Sequence, residues 1–243
     1  MDNIHSKEGY STRLRLNEDE LGQLRQMIQM QWLYRLQLLI PESVQYFDQL
    51  GIKYYHLASH LINHEEVWPK TSRVFPREAV AIIRNMNFFK TLQKMLGNII
   101  ISDEENFGWE NIYWRLVRPG SSDFGSLHAD KWFWDLGQYG QFLDFPHERL
   151  KVWIAIYTIA GKNGLCIVPN SHLKKDWKWH VEERSGRKKP IFDDELSGHF
   201  KCVLLPLESG QSVIFHDELL HGGAVNLAET TRVSIEFTML IPT

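Results

Sequence analysis

Lys151-Val152-Trp153-Ile154-Ala155-Ile156-Tyr157-Thr158-Ile159 is a nearly unbroken apolar and aromatic run. Its length and its β-branched and aromatic residues suit a strand buried within a sheet. Other short strand patterns surround it. Asn98–Ser102 and Asn111–Val117 precede it, the second ending at Pro119-Gly120. Leu165–Val168 follows the turn Lys162-Asn163-Gly164, and Lys201–Leu205, Gln211–Phe215 and Arg232–Leu240 complete the set. Glycine and proline punctuate these runs, as expected of an all-β barrel or sandwich.

The first hundred residues read differently. Asn17 is placed to cap a helix whose first turn is Glu18-Asp19-Glu20, where carboxylates favour the helix dipole. Leu21, Leu24, Ile28, Trp32, Leu36 and Leu39 then recur at helical spacing up to Pro41. A short helix through Val44, Phe47 and Leu50 closes at Gly51. Tyr54–Ile62 suggests another, and His56, His60 and His64 would stack on one of its faces; a polar face explains them better than a zinc site, since no fourth ligand is near. Pro76–Leu96 reads as one helix with Ala79, Ile82, Ile83, Met86, Phe89 and Leu92 inward and Gly97 as its stop. The expected fold is mainly β with N-terminal helices. It forms one domain over residues 1–243, helical to about 97 and β from about 98. Lys174–Pro190 is polar and basic with Trp177 and Trp179 interleaved, and reads as a long loop or lid.

The formal net charge of −3 argues against a nucleic-acid partner. Two cysteines, Cys166 and Cys202, make no disulfide framework and point to a reducing compartment. No segment has the length and apolarity of a transmembrane span, so the expectation is a cytoplasmic protein, with peripheral membrane contact still compatible.

Chemistry enters at Leu127-His128-Ala129-Asp130-Lys131-Trp132-Phe133-Trp134. In a strand, His128 and Asp130 would point to one face and could bind one metal ion. Two histidines and a carboxylate with open positions is the ligand set of non-haem Fe(II) oxygenases. The second histidine is sought in Phe215-His216-Asp217-Glu218-Leu219-Leu220-His221-Gly222-Gly223. His221 is preferred to His216, because two glycines follow it and Arg232 lies eleven residues on. An arginine suits the far carboxylate of 2-oxoglutarate, being planar, permanently charged and bidentate.

With these stretches, together with Val152-Trp153-Ile154-Ala155, Asn163–His172 and Gly210–His216, the chain resembles the phytanoyl-CoA dioxygenase (PhyH-like) branch of the Fe(II)/2-oxoglutarate oxygenases over roughly residues 111–240. The resemblance implies a double-stranded β-helix, a cupin-like jelly roll. It implies Fe(II) on His128, Asp130 and His221, with 2-oxoglutarate held by Arg232 and flanked by Trp153 and Trp114, and O2 as co-reactant. Where the family often has a hydroxyl residue two places after the distal histidine this chain has Gly223, and Ser234 or Thr230 is a candidate substitute. The implied reaction is hydroxylation of an unactivated C–H bond. Lys131, Trp132, Trp134 and His172 are candidate substrate contacts. The substrate is a small molecule, a glycoconjugate or a lipid. Basic charge beside indoles would suit an anionic sugar such as Kdo, and an acyl or isoprenoid chain is the other option. A cupin-like metal-binding protein without oxygenase activity, or a metal-dependent isomerase or hydrolase on the same scaffold, is the alternative.

Overall fold

The computed structural model describes residues 4, 8–137, 139, 145–184, 186–193 and 201–243. Helix α1 spans Glu18–Leu39. Asn17 Oδ1 accepts from the Glu20 amide at 2.8 Å, and Glu20 Oε2 accepts from the Asn17 amide at 2.9 Å, a reciprocal capping box. Leu21, Leu24, Ile28, Trp32 and Leu36 are buried as their spacing predicts, while Leu39 is exposed. Helix α2, Val44–Leu50, ends at Gly51 with φ +70°.

Two of the expected helices are broken. Residues 52–67 form two 3-10 turns, Ile52–Leu57 and Ser59–Leu61, and the short helix α3, His64–Val67. The three histidines therefore do not stack. His56 Nδ1 lies 3.1 Å from Thr231 Oγ1, and His64 Nδ1 lies 2.9 Å from the Tyr55 hydroxyl. The single helix expected over 76–96 is two: α4, Arg77–Arg84, and α5, Asn87–Leu96. Asn85 Nδ2 donates to the Ala81 carbonyl, and Met86 turns extended at φ −65°, ψ 151°. The break leaves Ile82 half exposed, although it was expected inward, and keeps Ile83, Phe89 and Leu92 buried.

The strands are β1 (Tyr10–Ser11), β2 (Ile100–Ile101), β3 (Tyr113–Val117), β4 (His147–Tyr157), β5 (Leu165–Ile167), β6 (Trp179–Arg184), β7 (Arg187–Phe192), β8 (Val203–Leu204), β9 (Ser212–His216), β10 (His221–Gly223) and β11 (Arg232–Pro242). Six of them form an antiparallel sheet in the order β1-β9-β4-β11-β2, with β3 also paired to β11. A second sheet has the order β10-β5-β8. Trp153, Ala155, Val213 and Phe215 of the larger sheet meet Leu165 and Ile167 of the smaller, so the sheets face each other. On its other face the larger sheet lays Val152, Ile154, Ile156, Val233, Ile235 and Phe237 against the helices. Both faces of β4 are thus covered over Val152–Ile156, which is why that stretch is continuously apolar rather than alternating. Each fully buried Leu, Ile or Phe here contributes about 1.5–3 kcal/mol relative to exposure.

Residues 174–190 are not one loop. β6 and β7 form a hairpin in which Glu182 pairs with Lys189 and Glu183 with Lys188; Ser185 lies outside the described residues. Cross-strand glutamates offset much of the basic charge, and alternation there is a strand signal. Nor does a strand continue through Asp130. Ala129 is extended, and helix α6, Asp130–Asp135, begins with that aspartate at the helix N-terminus. No helix among the described residues is long and apolar enough to cross a membrane.

Candidate metal centre

His128 enters the site on a bridge rather than a long strand. Its amide donates to the His221 carbonyl and the His221 amide donates back to the His128 carbonyl, each at 2.9 Å. This pair fixes the two imidazoles side by side, with ring centroids 4.5 Å apart. Asp130 follows at the start of α6, where its side chain turns back toward both. His128 Nε2 lies 3.8 Å from Asp130 Oδ1, and His221 Nε2 lies 3.6 Å from Asp130 Oδ2. The three ligand atoms all lie within 4.8 Å of one another.

Both rings are held for coordination through the same nitrogen. His128 Nδ1 lies 2.7 Å from the Ser126 carbonyl and His221 Nδ1 lies 2.9 Å from the Leu219 carbonyl. A carbonyl accepts only, so Nδ1 carries the proton and Nε2 keeps its lone pair. Burial, with the neighbouring His221, pushes His128 down to about 4, which keeps it neutral near pH 7. Asp130 Oδ2 is buried with no hydrogen-bond donor. The donor set of two imidazoles and a carboxylate, converging with an unsatisfied oxygen, fits Fe(II).

The inward face of β11 carries Arg232, Ser234, Glu236 and Thr238, all buried. Arg232 Nη1 donates to the Gly164 carbonyl at 2.5 Å, but its Nε has no partner, and neither has Ser234 Oγ. Burial, then the charge of Arg115, pushes Arg232 down to about 10, still cationic at neutral pH. A buried guanidinium with a free N–H beside a free hydroxyl fits a carboxylate, as 2-oxoglutarate requires. Trp153 is buried on the inner face of β4. Trp114 stands elsewhere: its neighbours in sequence, Tyr113 and Arg115, take the inner face. Trp114 packs on Trp68 in the helix-side core, where its indole donates to Gln31 Oε1 at 3.0 Å. Its expected place at the cosubstrate is therefore corrected, since one step along a strand reverses the face.

The expected substrate contacts also separate. Trp132 is buried, stacks on Trp179 at 5.5 Å and packs on Phe192, joining α6 to the β6–β7 hairpin. Trp134 meets Tyr139 edge-on and lies under the Arg149 guanidinium. Lys131 is paired with Asp135 one helical turn on. His172 lies against Gly9 and the His216 ring. Phe133 stands edge-on to His128 at 5.4 Å, and Phe215 lies tilted against His221 at 4.5 Å.

Sequence reasoning missed a set of buried charges. Lys151 Nζ lies 3.9 Å from Asp130 Oδ2, 3.7 Å from Glu104 Oε1 and 3.3 Å from Thr238 Oγ1. Glu104 also accepts from Lys70 at 3.0 Å. Although burial opposes its charge, Lys151 and Lys70 hold Glu104 down at about 2. Arg115 pairs with Glu236 at 2.6 Å. Burial opposes ionisation of Glu236 as well, and Arg115 and Lys151 hold it well below the carboxylate range. The only early signal was Lys151 itself, a charge opening an otherwise apolar strand.

The phytanoyl-CoA dioxygenase (PhyH) family model matches residues 47–234, reaching into the helices beyond the stretch where the resemblance is visible by eye. None of the curated proteins compared with the chain matches it. Among solved structures, EvdO2 from Micromonospora carbonacea var. aurantiaca complexed with 2-oxoglutarate is 12% identical, with a TM-score of 0.63 over 99% of this chain and 89% of that one. EctD from S. alaskensis with 2-oxoglutarate and 5-hydroxyectoine is 15% identical, with a TM-score of 0.56 over 96% and 72%. The non-heme alpha ketoglutarate dependent carbocyclase SnoK from nogalamycin biosynthesis is 14% identical, with a TM-score of 0.55 over 98% and 81%. At these identities the likeness establishes the fold.

Proposed function

The chain belongs to the phytanoyl-CoA dioxygenase family, and on that premise we propose that this 2-oxoglutarate-dependent dioxygenase hydroxylates an unactivated C–H bond of a small polar molecule or glycoconjugate. The observation that carries the reading is the convergence of His128, Asp130 and His221, with their Nδ1 atoms tied back and Nε2 atoms free. These three side chains would hold the metal. Arg232 would pair with the far carboxylate of 2-oxoglutarate, Ser234 would donate its hydroxyl to it, and Trp153 would wall the inner side. When bound, Fe(II) with 2-oxoglutarate and O2 would supply the oxidising chemistry, with succinate and CO2 as co-products. Phe133 covers one flank of His128. Lys151 steadies the Asp130 carboxylate through charge. The whole chain acts as one unit in the cytoplasm, the helices backing the sheet that carries Arg232.

A polar substrate is supported by the buried charges of Lys151, Glu104 and Glu236, which would leave an acyl or isoprenoid chain beside unsolvated ions. An anionic sugar remains within this class. The indoles of Trp132, Trp177 and Trp179 give it less support than their sequence suggests, because they pack on one another or on Phe192.

The test is incubation of the protein with Fe(II), 2-oxoglutarate and a cell extract, following succinate and any species that gains one oxygen atom. His128→Ala should abolish both. Under anaerobic conditions the Fe(II)–2-oxoglutarate chelate should give its visible absorbance, lost in Arg232→Ala. Metal binding without that absorbance would instead indicate a cupin-like binding protein.

A further inference from the structure

The chain's two cysteines meet outside the metal centre. Cys166 is central in β5, between Leu165 and Ile167, which point into the core, so its own side chain points to the outer face. In the register of β5 with β8, Cys166 stands opposite Leu204 and Ile167 opposite Val203. Cys202, one residue before β8, is therefore diagonal to Cys166 and on its face. The two thiols are in hydrogen-bond contact. Cys202 is exposed and Cys166 half-buried, so a small oxidant reaches the pair from solvent.

The other edge of β5 leads to the proposed site. Cys166 stands opposite Gly222 and Ile167 opposite the ligand His221. Two residues upstream, the Gly164 carbonyl accepts from Arg232. A covalent change at Cys166 thus acts on the strand that backs both the metal ligand and the cosubstrate anchor.

We propose that Cys166 and Cys202 form a reversible, peroxide-driven disulfide that is read at the cosubstrate site through β5. The Cys166 sulfur attacks hydrogen peroxide, breaking its O–O bond to give a sulfenic acid and one water. The Cys202 sulfur then attacks the sulfenic sulfur, forming the S–S bond and expelling a second water. Two thiols are oxidised and one peroxide is reduced; a cellular or added dithiol reverses the change by exchange. In a reducing compartment such a bond is transient, as redox-sensing disulfides are. Burial raises the Cys166 thiol, but the Cys202 contact outweighs it and brings Cys166 down to about 7, which favours Cys166 as the attacking sulfur.

The cross-link does not depend on the oxygenase reading, and its test begins without it. Chelated full-length protein is treated with a small excess of hydrogen peroxide and then with an alkylating agent. Intact-mass and peptide analysis should show one intramolecular Cys166–Cys202 link and a mass lower by about 2 Da, restored by dithiothreitol. Cys202→Ser should leave a sulfenic acid at Cys166 that dimedone traps. Full alkylation of both thiols after peroxide, or links only between chains, would overturn the proposal. The coupling to the site is read by titrating 2-oxoglutarate into the Co(II) protein, oxidised and reduced. The expected change is a Kd about fivefold or more higher in the oxidised protein, mirrored by an equal shift of the thiol–disulfide equilibrium against the link when 2-oxoglutarate is bound. Equal affinities would refute the coupling. If neither form binds 2-oxoglutarate, it is the oxygenase reading that fails, and the cross-link stands on its own result.

Discussion

Gly223 lies against Phe124 so closely that a β-carbon on the glycine would stand 2.6 Å from the Phe124 β-carbon. The next glycine inward, Gly222, is as confined: a β-carbon there would come 3.1 Å from the Ser126 carbonyl oxygen. The Gly223 amide also donates to the Gly125 carbonyl at 3.0 Å. The loop that delivers His128 therefore rests on the strand that delivers His221. This is why position 223 takes a glycine. Gly223→Ser should push Phe124 away and cost about 1–3 kcal/mol of stability, as overpacking does. It should also weaken Co(II) binding, because His128 moves with the loop. Urea unfolding and a Co(II) absorbance titration measure the two, and unchanged values for both would show that the contact is slack.

Arg232 and Ser234 offer the unsatisfied groups on β11. Arg232→Ala should weaken 2-oxoglutarate binding by about 2–3 kcal/mol, the worth of a hydrogen-bonded charge. Arg232→Lys should fall between, since an ammonium keeps the charge and loses the planar fork. Ser234→Ala should cost less, about 1 kcal/mol. Calorimetry on the Co(II) protein would report the order, and a Ser234 effect larger than that of Arg232 would reverse the assignment.

Lys151 is the shared counter-ion of Asp130 and Glu104. Lys151→Met should destabilise the metal-free protein by about 3–5 kcal/mol, because it strands buried carboxylates. A divalent cation at Asp130 would restore part of the missing positive charge. The rise in Tm on adding Co(II) should therefore be larger in the variant than in the parent. A smaller rise would mean that Lys151 serves the metal centre by geometry rather than charge.

Acid should act in two stages. Burial pushes His64 from 6.5 down to about 4, the nearby Asp123 opposing. Below pH 6.5 the unfolded chain gains a proton that folded His64 refuses until about pH 4, so stability falls through that window. In chelated protein His128 does the same. Each such proton contributes a slope of about 1.4 kcal/mol per pH unit. Glu104 and Asp123, both held near 2, stabilise the fold above their ordinary range, and that stability is lost as pH falls toward 2. Urea titrations across pH should show His64→Asn with a shallower slope between 6.5 and 4; an unaltered slope would place the titration elsewhere.

The convergence of His128, Asp130 and His221 was legible because its signals are local. His128 and Asp130 are two apart, His221 is followed by paired glycines, and Arg232 opens a strand. The double covering of β4 was legible for the same reason, as its apolar run is contiguous. What could not be read depends on contacts far apart in the chain. Arg115 finds Glu236 across 121 residues, and Lys151 finds Thr238 across 87. The break at Asn85-Met86 is a contest between a side chain and the backbone that helical spacing does not register. The facing of Trp114 turns on a single residue of register, which sets the side on which every neighbour lies.

β11 carries one further consequence. Arg232, Ser234, Glu236 and Thr238 point inward at every second residue, and each step of two residues advances about 6.6–6.8 Å. Arg232 thus stands at one end of this inner row and, about 20 Å along the strand, Thr238 stands at the other beside Lys151, whose ammonium lies 3.9 Å from Asp130 Oδ2. One strand therefore sets both the Arg232 guanidinium and the charge beside Asp130, so a slip of β11 by a single residue would turn both to the opposite face at once without changing any residue.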